Sequence, residues 1–303
     1  MDPWHSRLYS GTADLQKMVG LIHAARPTSQ ASAYPGSADL HEMLEIPEIR
    51  ARTCLWESRG GLLAYALVDP WNNLWFDLLP EFQQSPLEEQ IIQWGGACLR
   101  GHTMQQELPA DLTLDTNCFS DDLDRIALLQ RNGFEQTPLQ TVQMVRPLSD
   151  PLPNPHLPPG FFFRSVTGES EVDALVELHR AAFGTDEMTR EYRLAMMQTP
   201  GCDPALDLLV ADPLGRLAAF CVCRIDPESG GSEGFTDPVG TAPAFRGKGL
   251  ARALLLEGLR RLKARGVHTV RLDTASGNPA MLAAARSAGF DVERTKLWFS
   301  KHL

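Results

Sequence analysis

Along the second half of the chain the apolar positions switch repeatedly between two periods. In residues 171–183, Val172, Leu175, Val176, Leu178 and Ala182 recur at helical spacing, which predicts an amphipathic helix. Residues 189–198 predict a second helix that Thr189 can cap. Residues 207–211 and 216–226 read as strands joined by the turn sequence D-P-L-G, a hairpin signal. Further strands are predicted at 161–166, 235–241, 268–274 and 292–300, with helices at 250–264 and 279–288. The resulting order is β-αα-βββ-α-β-α-β.

The turn between the strand at 235–241 and the helix at 250–264 carries the strongest chemistry. Residues 243–252 read P-A-F-R-G-K-G-L-A-R. Gly247 and Gly249 allow a tight turn in which successive N–H groups point into one concavity at a helix N-terminus. Such a nest binds phosphate or pyrophosphate without a metal. Arg246, Lys248 and Arg252 add positive charge around it. The Walker spacing G-x-x-x-x-G-K-[ST] and the Rossmann spacing G-x-G-x-x-G are both absent, so the expected ligand is an anionic, nucleotide-like molecule of another class.

Residues 147–160, P-L-S-D-P-L-P-N-P-H-L-P-P-G, hold six prolines and cannot continue a helix or central strand. They predict an extended linker between domains at 1–146 and 161–303. The first half repeats the later part of the second. Leu114-Asp115-Thr116 matches Leu272-Asp273-Thr274, and Gly133-Phe134 matches Gly289-Phe290. Residues 80–89, P-E-F-Q-Q-S-P-L-E-E, align without gaps on 243–252. There Gln84 replaces Gly247, Pro86 replaces Gly249, and Glu88 and Glu89 replace Ala251 and Arg252. Proline has no N–H to donate, and the two carboxylates repel a pyrophosphate, so this loop is expected to be an ordinary helix cap.

Composition narrows the picture. The formal net charge of −10 argues against a nucleic-acid partner. Residues 1–150 carry 10 Lys/Arg and 20 Asp/Glu, whereas residues 151–303 carry 18 of each, so the half with the glycine loop repels an anion less. No apolar run is long enough to span a membrane, and the first residues lack the pattern of a signal peptide. The six cysteines show no C-x-x-C pair or zinc spacing; Cys221 and Cys223 alternate on one strand and read as buried thiols. A reducing cytoplasm is the simplest compartment.

Three motifs in order, R-x-x-G-x-A at Arg246, Gly249 and Ala251, P-V-G-T-x-P at 238–243, and the helix and turn at 278–290, resemble those of the GNAT superfamily of N-acyltransferases. The resemblance covers residues 160–303. It implies an α+β fold of two tandem GNAT-like domains, each a mixed, mostly antiparallel twisted sheet flanked by helices, with the first a degenerate copy. It also implies acetyl-CoA as co-substrate, no metal, and acetyl transfer by direct attack of the primary amine of a small-molecule acceptor on the thioester. Val239, Gly240 and Thr241 would hold the pantetheine arm, and Arg246, Gly247, Lys248, Gly249, Leu250, Ala251 and Arg252 the pyrophosphate.

Strand alternation predicts that Glu233, Phe235, Asp237, Val239 and Thr241 share one face. Asp237 is the first candidate base and Glu233 the second. The position where the family often carries a tyrosine acid is Ala285, which has no proton to give. Asn278 caps the last helix or contacts CoA as well. His179 is a candidate proton carrier or a packed histidine, and Trp71, Trp75 and Trp94 read as core. The basic run 260–265 reads as a solvated helix end. Alternative acceptors are a protein N-terminus or lysine, and an alternative role is a non-catalytic acyl-CoA sensor. A monomer or a homodimer fits equally.

Overall fold

The computed structural model describes residues 4–27, 33–103, 111–199, 202–226 and 229–303. The chain divides into two compact units, Met1–Leu139 with Lys296–Leu303, and Gln140–Thr295. This differs from the division expected at the proline-rich segment. The strand before that segment crosses into the second unit, and the last strand of the chain returns to the first.

In the first unit, β1 (His5–Leu8) is followed by α1 (Thr12–Ala25), α2 (Ser37–Met43) and α3 (Pro47–Ala51). Then come β2 (Thr53–Ser58), β3 (Gly61–Val68), β4 (Leu74–Leu78), α4 (Pro86–Thr103), β5 (Thr113–Phe119) and α5 (Leu123–Arg131). Strands β1 to β4 form an antiparallel sheet in chain order. Strand β3 is buried on both faces because its side chains alternate between two cores. Tyr65 and Leu67 pack with Met18 and Leu40 of α1 and α2. Ala64, Ala66 and Val68 pack with Leu87 and Ile91 of α4.

The second unit takes in residues from Gln140 on of β6 (Glu135–Pro147), then β7 (Phe162–Ser165), α6 (Val172–Phe183), α7 (Arg190–Gln198), β8 (Asp207–Ala211) and β9 (Leu217–Ile225). It continues through β10 (Glu233–Thr241), α8 (Leu250–Ala264), β11 (Thr269–Ala275), α9 (Pro279–Ser287) and the start of β12 (Asp291–His302). Strand β6 pairs antiparallel with β11 over Thr141–Pro147, while β12 pairs antiparallel with β5 of the first unit over Lys296–His302. Within the second unit the order is β6-β11-β10-β9-β8-β7, antiparallel except for β10 beside β11. Alternate residues of β8 and β9 feed opposite layers. Leu208, Val210, Cys221 and Cys223 meet Leu254 and Leu255 of α8. Leu209, Phe220 and Val222 meet Val172, Leu175 and Val176 of α6.

Most expected elements of this unit appear within a residue or two. Thr189 caps α7 through Oγ1, which accepts from Tyr192 N–H at 3.1 Å. In the D-P-L-G turn, the Asp212 carboxylate accepts from the N–H groups of Leu214 and Arg216 at 2.9 Å each. Two expectations need correction and one an addition. The proline-rich segment has no regular structure, yet it is no free tether: Leu152 and Leu157 pack on the α8 core, and Arg260 donates to Asn154 Oδ1 at 2.8 Å. The basic run 260–265 is the exposed helix end expected, but its arginines are also tied, Arg261 to Glu257 and Ser165 and Arg265 to Asp203. Trp71 is 38% exposed, whereas Trp75 and Trp94 are packed, each edge-on to another aromatic ring.

Helix α8 sits close against β9 at Gly258, where an added Cβ would lie 2.6 Å from Cys223 Sγ. Gly258→Ala is therefore expected to destabilise the protein by about 1–3 kcal/mol through overpacking. The check is a lower urea midpoint at unchanged slope; an unchanged midpoint would contradict so close a seat for α8.

Candidate active site

Strand β10 keeps β9 beside it to Thr241 but loses its other neighbour, β11, partway, and the site follows from that. It pairs in parallel with β11 only at Glu233–Thr269, Gly234–Val270 and Phe235–Arg271. Beyond this point β11 continues to Ala275 on β6 and β10 continues to Thr241 on β9, and the ladder between the two ends. Arg271 fastens the closed end. It is ion-paired with Glu233 and with Glu293, the latter at 2.7 Å. Past it, the Asp273 N–H reaches Asp237 Oδ2 at 3.4 Å.

A bulge accompanies the separation. Thr236 faces Cys223 and Val239 faces Cys221, so Asp237 and Pro238 together oppose the single residue Val222. Proline has no N–H for a ladder, which is why it is tolerated at a bulge. The extra residue overturns the expected single face. Thr236 and Val239 share the α8 side with the two cysteines, whereas Gly240 lies against Phe220 and Ala182 on the α6 side.

Backbone direction changes with it. Ala242 N–H donates to Ala218 O of β9 at 3.0 Å. By the alternation of an antiparallel ladder, Gly240 also turns its polar groups to β9, and Val239 and Thr241 turn theirs away from β9 into the gap left by β11. Gly240 thus has a packing reason to be glycine. A Cβ added there would collide with the Phe220 ring and lie 2.8 Å from Ala182 Cβ, so a glycine is what lets the end of α6 come this close to β10.

The loop after β10 has the expected nest geometry. Gly247 and Gly249 both have φ of 76°, and Gly249 caps α8. The Ala253 N–H makes the first intrahelical bond, to Gly249 O at 3.0 Å. The N–H groups of Leu250, Ala251 and Arg252 precede it and emerge from the helix end. The three basic side chains are not equivalent. Arg246 donates to Ala182 O at 2.9 Å, closing the C-terminus of α6, and Arg252 donates to Ser287 O at 3.2 Å, closing that of α9. Lys248 is exposed and has no such tie among the described residues.

The remaining candidates fall into place around this frame. Asn278 caps α9, its Oδ1 accepting from Met281 N–H at 3.1 Å. Ala285 is fully buried in the α8 core. Among the described residues no group of three or more His, Cys, Asp or Glu is arranged to hold a metal ion, and no helix is long and apolar enough to cross a membrane. All six cysteines are free thiols, and Cys221 and Cys223 are buried with their sulfurs 3.6 Å apart.

The first unit builds the same turn up to a point. Leu79 and Ala242 have φ, ψ of −60°, 142° and −59°, 143°; Gln83 and Arg246 have −61°, 143° and −62°, 158°. Gln84 keeps a left-handed φ of 59° where Gly247 stands. Then the loops part. Pro86 starts α4 at once, and the buried Glu88 carboxylate accepts from Gln84 N–H and pairs with Arg131 at 3.0 Å. The protein's own carboxylate lies where the second unit presents open N–H groups. The later elements also correspond. Asp122 caps α5 as Asn278 caps α9, and Phe134 N–H bonds back to Leu129 O as Phe290 N–H does to Ala285 O, each at 3.0 Å.

His179 on α6 is half-buried, stacked on Phe220 at 5.3 Å and tilted over Phe183 at 4.6 Å. Burial, helped by the charge of Arg193, lowers its pKa from 6.5 to about 4, so it is neutral at physiological pH and packs rather than carries protons. Between those two values the unfolded chain binds more protons than the folded one, and above 6.5 both are neutral. Stability should therefore fall as pH drops from about 6.5 toward about 4 and be flat above. Replacing His179 by Phe should flatten this window in pH-dependent urea titrations; an unaltered slope would place the titration on other groups.

Residues 172–290 match the Acetyltransferase (GNAT) family. Over 260 residues the chain is 30% identical to the mycothiol acetyltransferase of Segniliparus rotundus, covering 82% of this chain and 94% of that protein. Further curated mycothiol acetyltransferases are matched over only about half of their own length. The fold is similar to that of a GCN5-related N-acetyltransferase from Sphaerobacter thermophilus, with a TM-score of 0.73 at 23% identity over 100% of this chain and 96% of that one. It is also similar to a tandem GNAT protein from the clavulanic acid biosynthesis pathway, with a TM-score of 0.70 at 15% identity over 99% and 98% of the two chains. With a whole-length relative and a fold of two GNAT-like units, the chain belongs to the GNAT family of acetyltransferases and is an acyltransferase.

Proposed function

We propose that the second unit transfers the acetyl group of acetyl-CoA to the primary amine of a small molecule. The observation that carries this reading is the separation of β10 from β11 beyond Phe235–Arg271. It opens a slot with backbone groups of Val239 and Thr241 along one wall, Asp237 at the bulge and the open N-terminus of α8 at its end. The pyrophosphate would accept from the N–H groups of Gly247 to Arg252, with Lys248 as the mobile counter-charge. The pantetheine amides would pair with Val239 and Thr241 as an added strand does.

In the transfer, the amine nitrogen attacks the thioester carbon and a backbone N–H of the strand stabilises the oxyanion. The nitrogen loses its proton to the Asp237 carboxylate, directly or through a water, and the C–S bond breaks as the carbonyl re-forms. Glu233 is the weaker candidate base, since Arg271 already holds it at the closed end. With Ala285 in place of a donor, the sulfur departs as thiolate, which a thiol pKa of about 8.5 permits. The first unit, whose loop is filled by Glu88, is read as a copy that has lost the donor site. The Segniliparus rotundus relative carries the name mycothiol acetyltransferase, so a mycothiol-related amine is the acceptor to test first.

Two measurements test this reading. Acetyl-CoA should raise the unfolding temperature of the intact protein, and Gly249→Pro should abolish the shift, because it removes an N–H and forbids the positive φ at the α8 cap. An equal shift in the variant would place the donor elsewhere. Asp237→Asn should lower kcat/KM for the best amine by roughly 10²–10⁴-fold with the acetyl-CoA shift retained. Turnover within a factor of two of wild type would remove Asp237 from proton transfer.

A further inference from the structure

The first unit contains a cavity of about 310 Å³ beside β4 and β5, within the range of small-molecule sites. Trp75 and Phe76 supply apolar wall, and Trp75 is fixed by its indole N–H on Asp69 at 2.9 Å. Charged groups of both signs converge there, and most are already matched. Arg26 forms a fork on Asp77, at 3.0 and 2.7 Å, and Asp77 also accepts from Tyr65 Oη at 2.7 Å. Glu88 is taken by Arg131 and Gln84.

Lys296 also lines the cavity, its ammonium 5.4 Å from the Phe119 ring centre, and Arg125 is the lining arginine without an ion pair among the described residues. Its guanidinium carbon sits over Phe76, 3.3 Å from the ring centre, and Nη2 donates to Phe76 O at 3.1 Å. Among the described residues no carboxylate lies within ion-pair distance of it, so the Nε and Nη1 edge has no acceptor from the protein. Asp122, the cap residue three positions before Arg125, accepts from the Arg125 backbone N–H at 3.1 Å. Burial pulls the Arg125 pKa below its ordinary value, as expected for a cation that has lost more hydration than it has regained in contacts. A planar fork with two open donors on an aromatic floor suits one group above others, a carboxylate.

We propose that this cavity binds a small organic monocarboxylate, its carboxylate on the open edge of Arg125 and its apolar body against Trp75 and Phe76. The four acidic side chains that share the cavity, Asp77, Glu88, Asp122 and Asp124, set the charge limit. They repel a dianion such as phosphate more strongly than a monoanion. The residues that line it all belong to the first unit.

Sodium benzoate is a suitable probe, with inorganic phosphate and sodium chloride at matched ionic strength as comparisons, all on the full chain. Benzoate in the millimolar range should raise the unfolding temperature saturably and change tryptophan fluorescence with the same midpoint. Arg125→Met should abolish both responses while acetyl-CoA-dependent turnover stays within twofold of wild type. Arg125→Lys, which keeps the charge but not the fork, should weaken benzoate at least tenfold and decides the matter if the Met variant does not fold. No benzoate response in the wild type, or an equal response in the folded variants, would overturn the proposal. A stronger response to phosphate than to benzoate would overturn the monocarboxylate assignment.

Discussion

The second unit is organised by one constraint: β10 cannot keep β11 as its neighbour beyond Arg271. Up to that point the parallel ladder and the ion pairs of Arg271 with Glu233 and Glu293 hold the strands together. Beyond it, Asp237 and Pro238 add a residue on the β9 side, and an extra residue bends the strand and increases its twist. The glycine loop and the N-terminus of α8 lie downstream of that bend, and Asp237 lies within it. It turns the backbone of Val239 and Thr241 into the gap, and it sets Gly240 under Phe220 so that the end of α6 can come close.

The basic residues of the loop show how a surface motif can be structural. A helix C-terminus has four carbonyls without intrahelical partners, and cations favour that end. Arg246 serves α6 in this way and Arg252 serves α9. The two arginines therefore brace the loop against the helices on either side of it. Preorganisation of this kind matters for an anion nest. The N–H groups of Leu250 to Arg252 are useful only if the turn before them is already formed, since ordering it at binding would cost affinity.

Much of this was legible in the sequence, and the parts that were not share a cause. Strong local signals carried through: the helix at 250–264, the two glycines with positive φ, the caps at Thr189 and Asn278, and the D-P-L-G turn all depend on neighbours within a few residues. The one-face alternation of β10 failed because a single inserted residue reverses every later side chain. Pro238 inside a strand was the available signal, as proline there marks an edge or a bulge. The partners of Arg246, Arg252 and Arg260 lie 64, 35 and 106 residues away, and no local pattern encodes them. The unit boundary was missed for the same reason: a proline-rich segment marks where regular structure stops, not which strand pairs across it.

The two loops show how little sequence change separates a cradle from a plug. Their backbones agree in φ and ψ through Gln83 and Arg246, and even the left-handed residue that follows is shared, at a glutamine in one and a glycine in the other. What differs is the next step. Gly249 delays the helix by a left-handed residue and leaves its N–H groups open; Pro86 starts the helix and brings Glu88 onto the turn. A carboxylate at a helix N-terminus is favourable in its own right. The first loop thus satisfies its own turn with its own carboxylate. Glu88 and Arg125 line the same cavity, and Arg125 has no ion pair among the described residues.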